Sequence, residues 1–314
     1  VADTAPTQTL RREAITELPP IAVRSWNPSD GWLAFLFTLP TMLLLIFVGV
    51  FPLIWSLYLS FTRFSAAKPN IAPEWVGATN YAKVMTDPSI WSVFVFTAKY
   101  VVIAVGVEFL LGFGIALLLN RAFPGRGLIT TLMLLPMMLS PALAASFWKL
   151  IYEPQWGVSN FYIKKLGFAP IDWLANQHIT IYALALVDIW QWTPFMLLIS
   201  LAGLSAVPRY LYEAAEVDQA SAWFKFRHVT LPMVWPLLLI ALIFRTMDAI
   251  RVFEYPYIMI ADQQATQTIA TLLYRIAFRS WDTGLSTAFA YIVLVMIIAM
   301  TNLYIRYLTR ATVR

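Results

Sequence analysis

Apolar residues run through this chain in long blocks separated by short polar stretches. Six blocks reach the roughly 20 residues that a helix needs to cross a bilayer. They cover 32–61, 92–120, 128–151, 179–204, 232–260 and 284–308. The blocks do not alternate in segments of about 10 residues, so a membrane barrel is not expected. The pattern predicts an all-α integral membrane protein of six transmembrane helices, with a membrane domain over 31–310. Pro40 and Pro52 predict kinks in the first span, and Pro136 and Pro141 predict a loosened third span. Residues 1–30 are polar and hold Pro6, Pro19, Pro20 and Pro28, which reads as a tail. It has no short apolar core followed by a small-residue cleavage site, so no removable signal peptide is expected.

Composition supports a lipid environment. Apolar and aromatic residues make up 60% of the chain and charged residues 12%, about half the share in soluble proteins. Too few polar side chains remain to coat a globule in water. The absence of cysteine excludes disulfides, thiolate nucleophiles and Cys-ligated metals, and the two histidines, His178 and His228, are far apart. The net charge of +5 is scattered and contains no basic run longer than two residues, which argues against nucleic acid as a partner. It reads instead as a topology signal. Eleven Lys and Arg lie on the side of the termini and seven on the opposite side, which predicts both termini in the cytoplasm. Trp75, Trp91, Trp156, Trp173 and Trp281 fall near span ends, at headgroup depth. The outer stretch 152–178 is divided by Gly157 and Pro170 and reads either as an interfacial loop or as a docking surface.

The loop 207–231, between the fourth and fifth spans, is polar yet patterned for helix. Pro208 suits a first turn, Asp218-Gln219 suits a turn, and Pro232 can open the next span. Two short helices across the inner face are predicted. A bare connector needs only a few residues, and small Ala214 and Ala215 beside Glu213 suit insertion into another protein's groove.

Glu213-Ala214-Ala215, with Asp218, Ala220, Phe226, Leu231-Pro232 and Pro236, resembles the EAA loop of ABC-importer permeases. Two further stretches are similar to the carbohydrate branch of that family. One is Trp75-Val-Gly-Ala-Thr-Asn-Tyr81 with Asp87-Pro88 and Trp91. The other is Leu135-Pro136, Ser140-Pro141 and Trp148, with Tyr152-Glu-Pro-Gln-Trp-Gly157 and Asn160. The likeness extends over about 32–308. It implies a permease for a sugar or polyol in a bacterial or archaeal plasma membrane. Its implied partners are a second permease, two ATP-binding subunits and an extracytoplasmic solute-binding protein. ATP and Mg would belong to the partner ATPase and no cofactor to this chain; consistently, no Gly-Lys-Ser or Gly-Lys-Thr occurs in it. The coupling residues implied are Glu213, Ala214, Ala215, Asp218, Gln219 and Ala220. Gln219 departs from the family's usual glycine, which puts the loop geometry in question.

Charges inside spans are costly and mark candidate functional positions. Arg245, Asp248, Arg251 and Glu254 alternate in sign every three residues, which fits either an internal ion-pair ladder or the lining of a cavity. Glu108, in a run of small residues, is expected to pair structurally, and Asp188 lies one turn before Gln191. Counting from the family motifs places its sugar-contacting positions at Gln191, Trp192, Phe195, Arg245, Asp248, Ala249 and Val252. Ala249 and Val252 lack the Asn of a maltose-type site. An anionic sugar derivative bound by Arg245, or an ion-gradient-driven transporter, are the alternative readings.

Overall fold

The computed structural model describes residues 28–260 and 266–312. All but the last three residues of the expected tail at 1–30 lie outside the described residues. The chain divides into two units, 1–56 and 57–314. Helix α1 (Pro28–Leu45) continues through a widened π turn at Ile46–Val50 into α2 (Phe51–Ser60), whose residues from 57 onward belong to the second unit. Phe51 N–H donates to Ile46 O across that turn, immediately before Pro52 removes a donor from the regular ladder. The disturbance expected at Pro52 is therefore a local widening of the helix.

The second unit continues with a two-stranded antiparallel ribbon, β1 (Thr62–Arg63) and β2 (Glu74–Trp75), followed by α3 (Thr79–Thr86). Asn80 Nδ2 ties them together by donating to Ser60 O and Thr62 O, each at 2.9 Å. Asp87 then caps α4 (Pro88–Leu119), accepting from Ser89 Oγ at 2.7 Å and Ser89 N at 2.9 Å. Those hydrogen bonds favour the ionised carboxyl and hold its pKa below the usual value.

The third span departs from the expected single helix. α5 (Arg126–Leu134) runs into a 3-10 turn at Pro136–Met138, and α6 (Pro141–Ile151) leaves at 94°. Two prolines five residues apart each remove a backbone donor. Leu139 and Ser140 between them are extended, at ψ 145° and 137°, so no helical ladder can pass. Five helices are long and apolar enough to cross a membrane among the described residues, and counting the bent pair as one crossing gives six. Outside it, α7 (Val158–Lys165) folds the outer loop around buried Asn160. Its amide donates to Ile171 O at 2.9 Å, and its carbonyl accepts from Ile171 N at 3.0 Å and from Trp173 Nε1 at 3.3 Å. The stretch 152–178 is thus a built structure, with Phe161, Leu166 and Phe168 exposed on its surface.

The fourth span, α8 (Gln177–Ala206), packs along α4. Gly112 permits that approach: a Cβ there would lie 2.5 Å from Met196 Cβ and 2.9 Å from Leu197 N. After α8 come α9 (Arg209–Val217) and the four-residue α10 (Ala222–Lys225), which passes through a π turn at Phe226–Thr230 into α11 (Leu231–Ile250). The second short helix of the loop is therefore continuous with the fifth span. That span is itself interrupted at Arg251–Phe253 before α12 (Glu254–Ile260), in place of the single helix expected to residue 260. α13 (Ile269–Tyr274) and α14 (Thr283–Thr312) complete the fold. The core lies between α4, α8 and α11, around Tyr100, Ala104, Leu184 and Val187.

The turn ending α9 explains the position of Gln219. Ala220 N donates to Ala215 O at 2.9 Å and Gln219 N to Glu216 O at 3.0 Å, the paired bonds of a Schellman cap. That cap needs a left-handed residue at its centre, and Gln219 has φ 53°. Tyr212 OH bonded to Thr230 Oγ1 at 2.9 Å and Lys225 paired with Glu216 at 3.1 Å close the loop around it. A side chain in this conformation costs on the order of 1 kcal/mol relative to glycine. Replacing Gln219 by Gly should raise hydrogen-exchange protection of the Ala220 amide about two- to fivefold, or roughly 0.5–1 kcal/mol after glycine's larger chain entropy is counted. Unchanged or lower protection would show that the turn carries no strain.

Candidate functional site and family

Three helices meet at one guanidinium. Arg245 on α11 is 2% exposed. Its Nε donates to Glu108 Oε2 at 2.7 Å and its Nη2 to Glu108 Oε1 at 3.1 Å, a two-point pairing with α4. Nη2 also lies 2.5 Å from Asp188 Oδ2 on α8, and Nη1 donates to Asp248 Oδ2 at 3.2 Å. The Trp192 ring lies against the guanidinium, 5.2 Å from ring centroid to Cζ. Glu108 and Asp188 are fully buried, whereas the Asp248 side chain is 55% exposed. Arg245 is consequently committed to holding α4, α8 and α11 together, and Asp248 alone presents a carboxylate outward.

The ion-pair ladder expected along the fifth span exists only at its first step, Arg245–Asp248. α11 ends at Ile250, so Arg251 leaves the helical register and donates from Nε to Met247 O at 3.2 Å. Glu254 begins the next helix. The structural pairing expected for Glu108 is present, with its partner on a different helix. No cluster of three metal-ligating side chains occurs among the described residues.

Asp248 opens into a groove of about 510 Å³ lined by Trp192, Phe195, Phe244, Arg245, Asp248 and Arg251, with aliphatic residues of α8 and α11. Trp192 and Phe195 meet edge to face at 6.4 Å. Of the seven positions expected along a solute path, Trp192, Phe195, Arg245 and Asp248 come together here. Gln191, Ala249 and Val252 do not line the groove. Ala249 and Val252 are buried in the core, and Gln191, 1% exposed, serves the broken third span. Its Nε2 donates to Leu139 O at 2.7 Å, in the extended gap between the two half-helices. A freed carbonyl at membrane depth must find a donor in the protein, and Gln191 supplies it. Tyr255, which sequence reasoning passed over, donates to Gln191 Oε1 at 2.7 Å and accepts from Trp192 Nε1 at 3.2 Å. Only its hydroxyl within an apolar helix hinted at this role.

In the inner loop, Glu213, Ala214, Asp218 and Gln219 are exposed, Ala220 is half-buried, and Ala215 is turned inward at 8% exposure. Tyr210, Val217, Trp223 and Phe224 are exposed alongside them.

Apolar spans, a broken helix whose gap is bonded from within, and a folded loop between spans define a helical integral membrane protein. The chain belongs to the family described as binding-protein-dependent transport system inner membrane component, which matches residues 108–314. It is 36% identical over 267 residues to a probable ABC transporter permease of Sinorhizobium fredii, covering 84% of this chain and 86% of that one. It is 32% identical over 282 residues to the trehalose/maltose transport system permease of Thermococcus litoralis, covering 88% and 94%. With the sulfoquinovosyl glycerol transport system permease of Agrobacterium fabrum it shares 32% over 279 residues, covering 88% and 90%. Its fold matches a chain of a bacterial ABC transporter involved in import of the acidic polysaccharide alginate. The TM-score is 0.79 at 20% identity, with 90% of this chain and 96% of that chain covered. As a transport permease component of an ABC system the chain is not an enzyme; in such systems the ATPase is a separate subunit.

Removing the guanidinium leaves two carboxyls buried without a partner. Arg245→Met should therefore destabilise the protein by about 3–5 kcal/mol. Adding Glu108→Gln and Asp188→Asn to it should recover a large part of that loss. Thermal unfolding of the purified complex in detergent would measure both, and equal midpoints for parent and Arg245→Met would refute the brace.

Proposed function

We propose that this chain is one of two permease subunits of an ATP-driven importer for a neutral sugar or polyol. The observation that carries the reading is the exposed Asp248 carboxylate beside the Trp192–Phe195 pair in the α8–α11 groove. Aromatic faces suit the C–H surfaces of a sugar, and a free carboxylate oxygen accepts from its hydroxyls. An anionic derivative is the weaker alternative, because Arg245 is saturated by Glu108, Asp188 and Asp248. The likeness to the trehalose/maltose transport system permease of Thermococcus litoralis supports the sugar reading.

Coupling is assigned to the exposed side of α9 and its turn: Glu213, Ala214, Asp218 and Gln219, with the apolar Val217, Trp223 and Phe224. An apolar cluster next to a carboxylate on the inner face suits the groove of an ATP-binding subunit. Ala215 and Ala220 contribute by seating the loop. In this reading ATP and Mg bind two ATPase subunits, a second permease completes the path, and an extracytoplasmic binding protein delivers solute. Both termini face the cytoplasm of a bacterial or archaeal cell.

Uptake by the reconstituted complex, with trehalose as probe, tests the two halves of this reading. Asp248→Ala should lower trehalose uptake about 10- to 100-fold, the worth of one charge-assisted hydrogen bond. Glu213→Lys and Ala214→Asp should insert normally yet leave ATP hydrolysis unresponsive to the loaded binding protein. Normal uptake by Asp248→Ala would remove the groove from the path, and normal uptake by both loop variants would remove the coupling assignment.

A further inference from the structure

We propose that Tyr255 is a positioning residue that joins the aromatic side chain of the groove to the break in the third span, so that Trp192 and the bend at Leu139–Ser140 move together. The use of that motion in transport rests on the permease reading above; the joint itself rests on geometry. Trp192 Nε1 donates to Tyr255 OH at 3.2 Å, Tyr255 OH donates to Gln191 Oε1 at 2.7 Å, and Gln191 Nε2 donates to Leu139 O at 2.7 Å. The direction of this chain is fixed at both ends. Indole nitrogen can only donate and a backbone carbonyl can only accept, so the hydroxyl and the amide between them have one consistent orientation. Tyr255 and Gln191 are each 1% exposed, so water is not available to replace a lost bond.

Three separate bodies meet in this joint. Gln191 and Trp192 belong to α8, Tyr255 to α12, and Leu139 to the extended gap between α5 and α6. α12 is also fastened to α6, because the two pack together and Lys149 Nζ donates to Ile258 O at 2.9 Å. A tilt of the Trp192 ring therefore pulls on Tyr255, and with it on the α6–α12 body and on the amide that holds the gap. The opposite side of the joint is anchored, since Trp192 lies against Arg245, whose guanidinium is fixed by Glu108 and Asp188. Reorientation at the break is thereby transmitted to a side chain lining the groove without any direct contact between Leu139 and solute.

The chain has no cysteine, so two introduced cysteines, assembled with cysteine-free partner subunits, give unique spin labels. Leu128 on α5 and Leu150 on α6 are 66% and 52% exposed and flank the break. Pulsed dipolar spectroscopy on the assembled importer in lipid nanodiscs reads the distance between labels at these positions. Tyr255→Phe, which deletes one oxygen and keeps the ring, should shift or broaden that distance. Trp192→Phe should do the same in the parent and add nothing further in the Tyr255→Phe background. An unchanged distance in Tyr255→Phe, or independent additive effects of the two changes, would overturn the joint. A residue that merely fills space would lower thermal stability without this non-additivity. Trehalose uptake by the same preparations separates the two readings: non-additive distances without uptake uphold the joint and count against the solute assignment.

Discussion

Polar groups at membrane depth must find their partners within the protein, and the described core is arranged around that constraint. Arg245 is its focus. One guanidinium faces Glu108 from α4, Asp188 from α8 and Asp248 from its own helix, and Trp192 covers its face. Glu108 and Asp188 are costly to bury alone, so the three helices hold one arrangement in which both carboxylates face the guanidinium. The close approach of α4 to α8 at Gly112 brings these charges within bonding distance.

The same constraint explains how a helix can be broken within a span. Pro136 and Pro141 flank a break in the third helix at the extended Leu139 and Ser140, and the gap exposes Leu139 O. Gln191 satisfies that carbonyl and is itself held by Tyr255. A residue expected along the solute path thus works one layer behind it, and the groove surface is left to Trp192, Phe195 and Asp248.

In the 207–231 loop the priorities differ, since its residues are largely exposed and backbone geometry governs. α9 ends in a cap that requires a left-handed residue, and Gln219 occupies it at φ 53°. Tyr212, Glu216, Lys225 and Thr230 close the loop around that turn, while Glu213 and Ala214 remain outward. The second half of the loop runs unbroken into α11, which also carries Arg245. The loop and the ion cluster therefore share one continuous helix.

The sequence by itself determined the helical membrane class, the places where the chain crosses, and the helical character of the 207–231 loop. Those follow from hydropathy, proline placement and capping, which act over neighbouring residues. It also marked Arg245 and Asp248 as charges inside a span, and the resemblance to the permease family pointed to Trp192 and Phe195. Tertiary structure decided which charge meets which. A spacing of three residues suggested a ladder through Arg251 and Glu254, but α11 ends at Ile250 and Arg245 turns to carboxylates 137 and 57 residues away in sequence. It also moved Gln191, Ala249 and Val252 off the groove and brought in Tyr255. Periodicity along one helix cannot specify these partners, because they depend on the register between helices, and that register is set by close packing and by the pairing of buried charges.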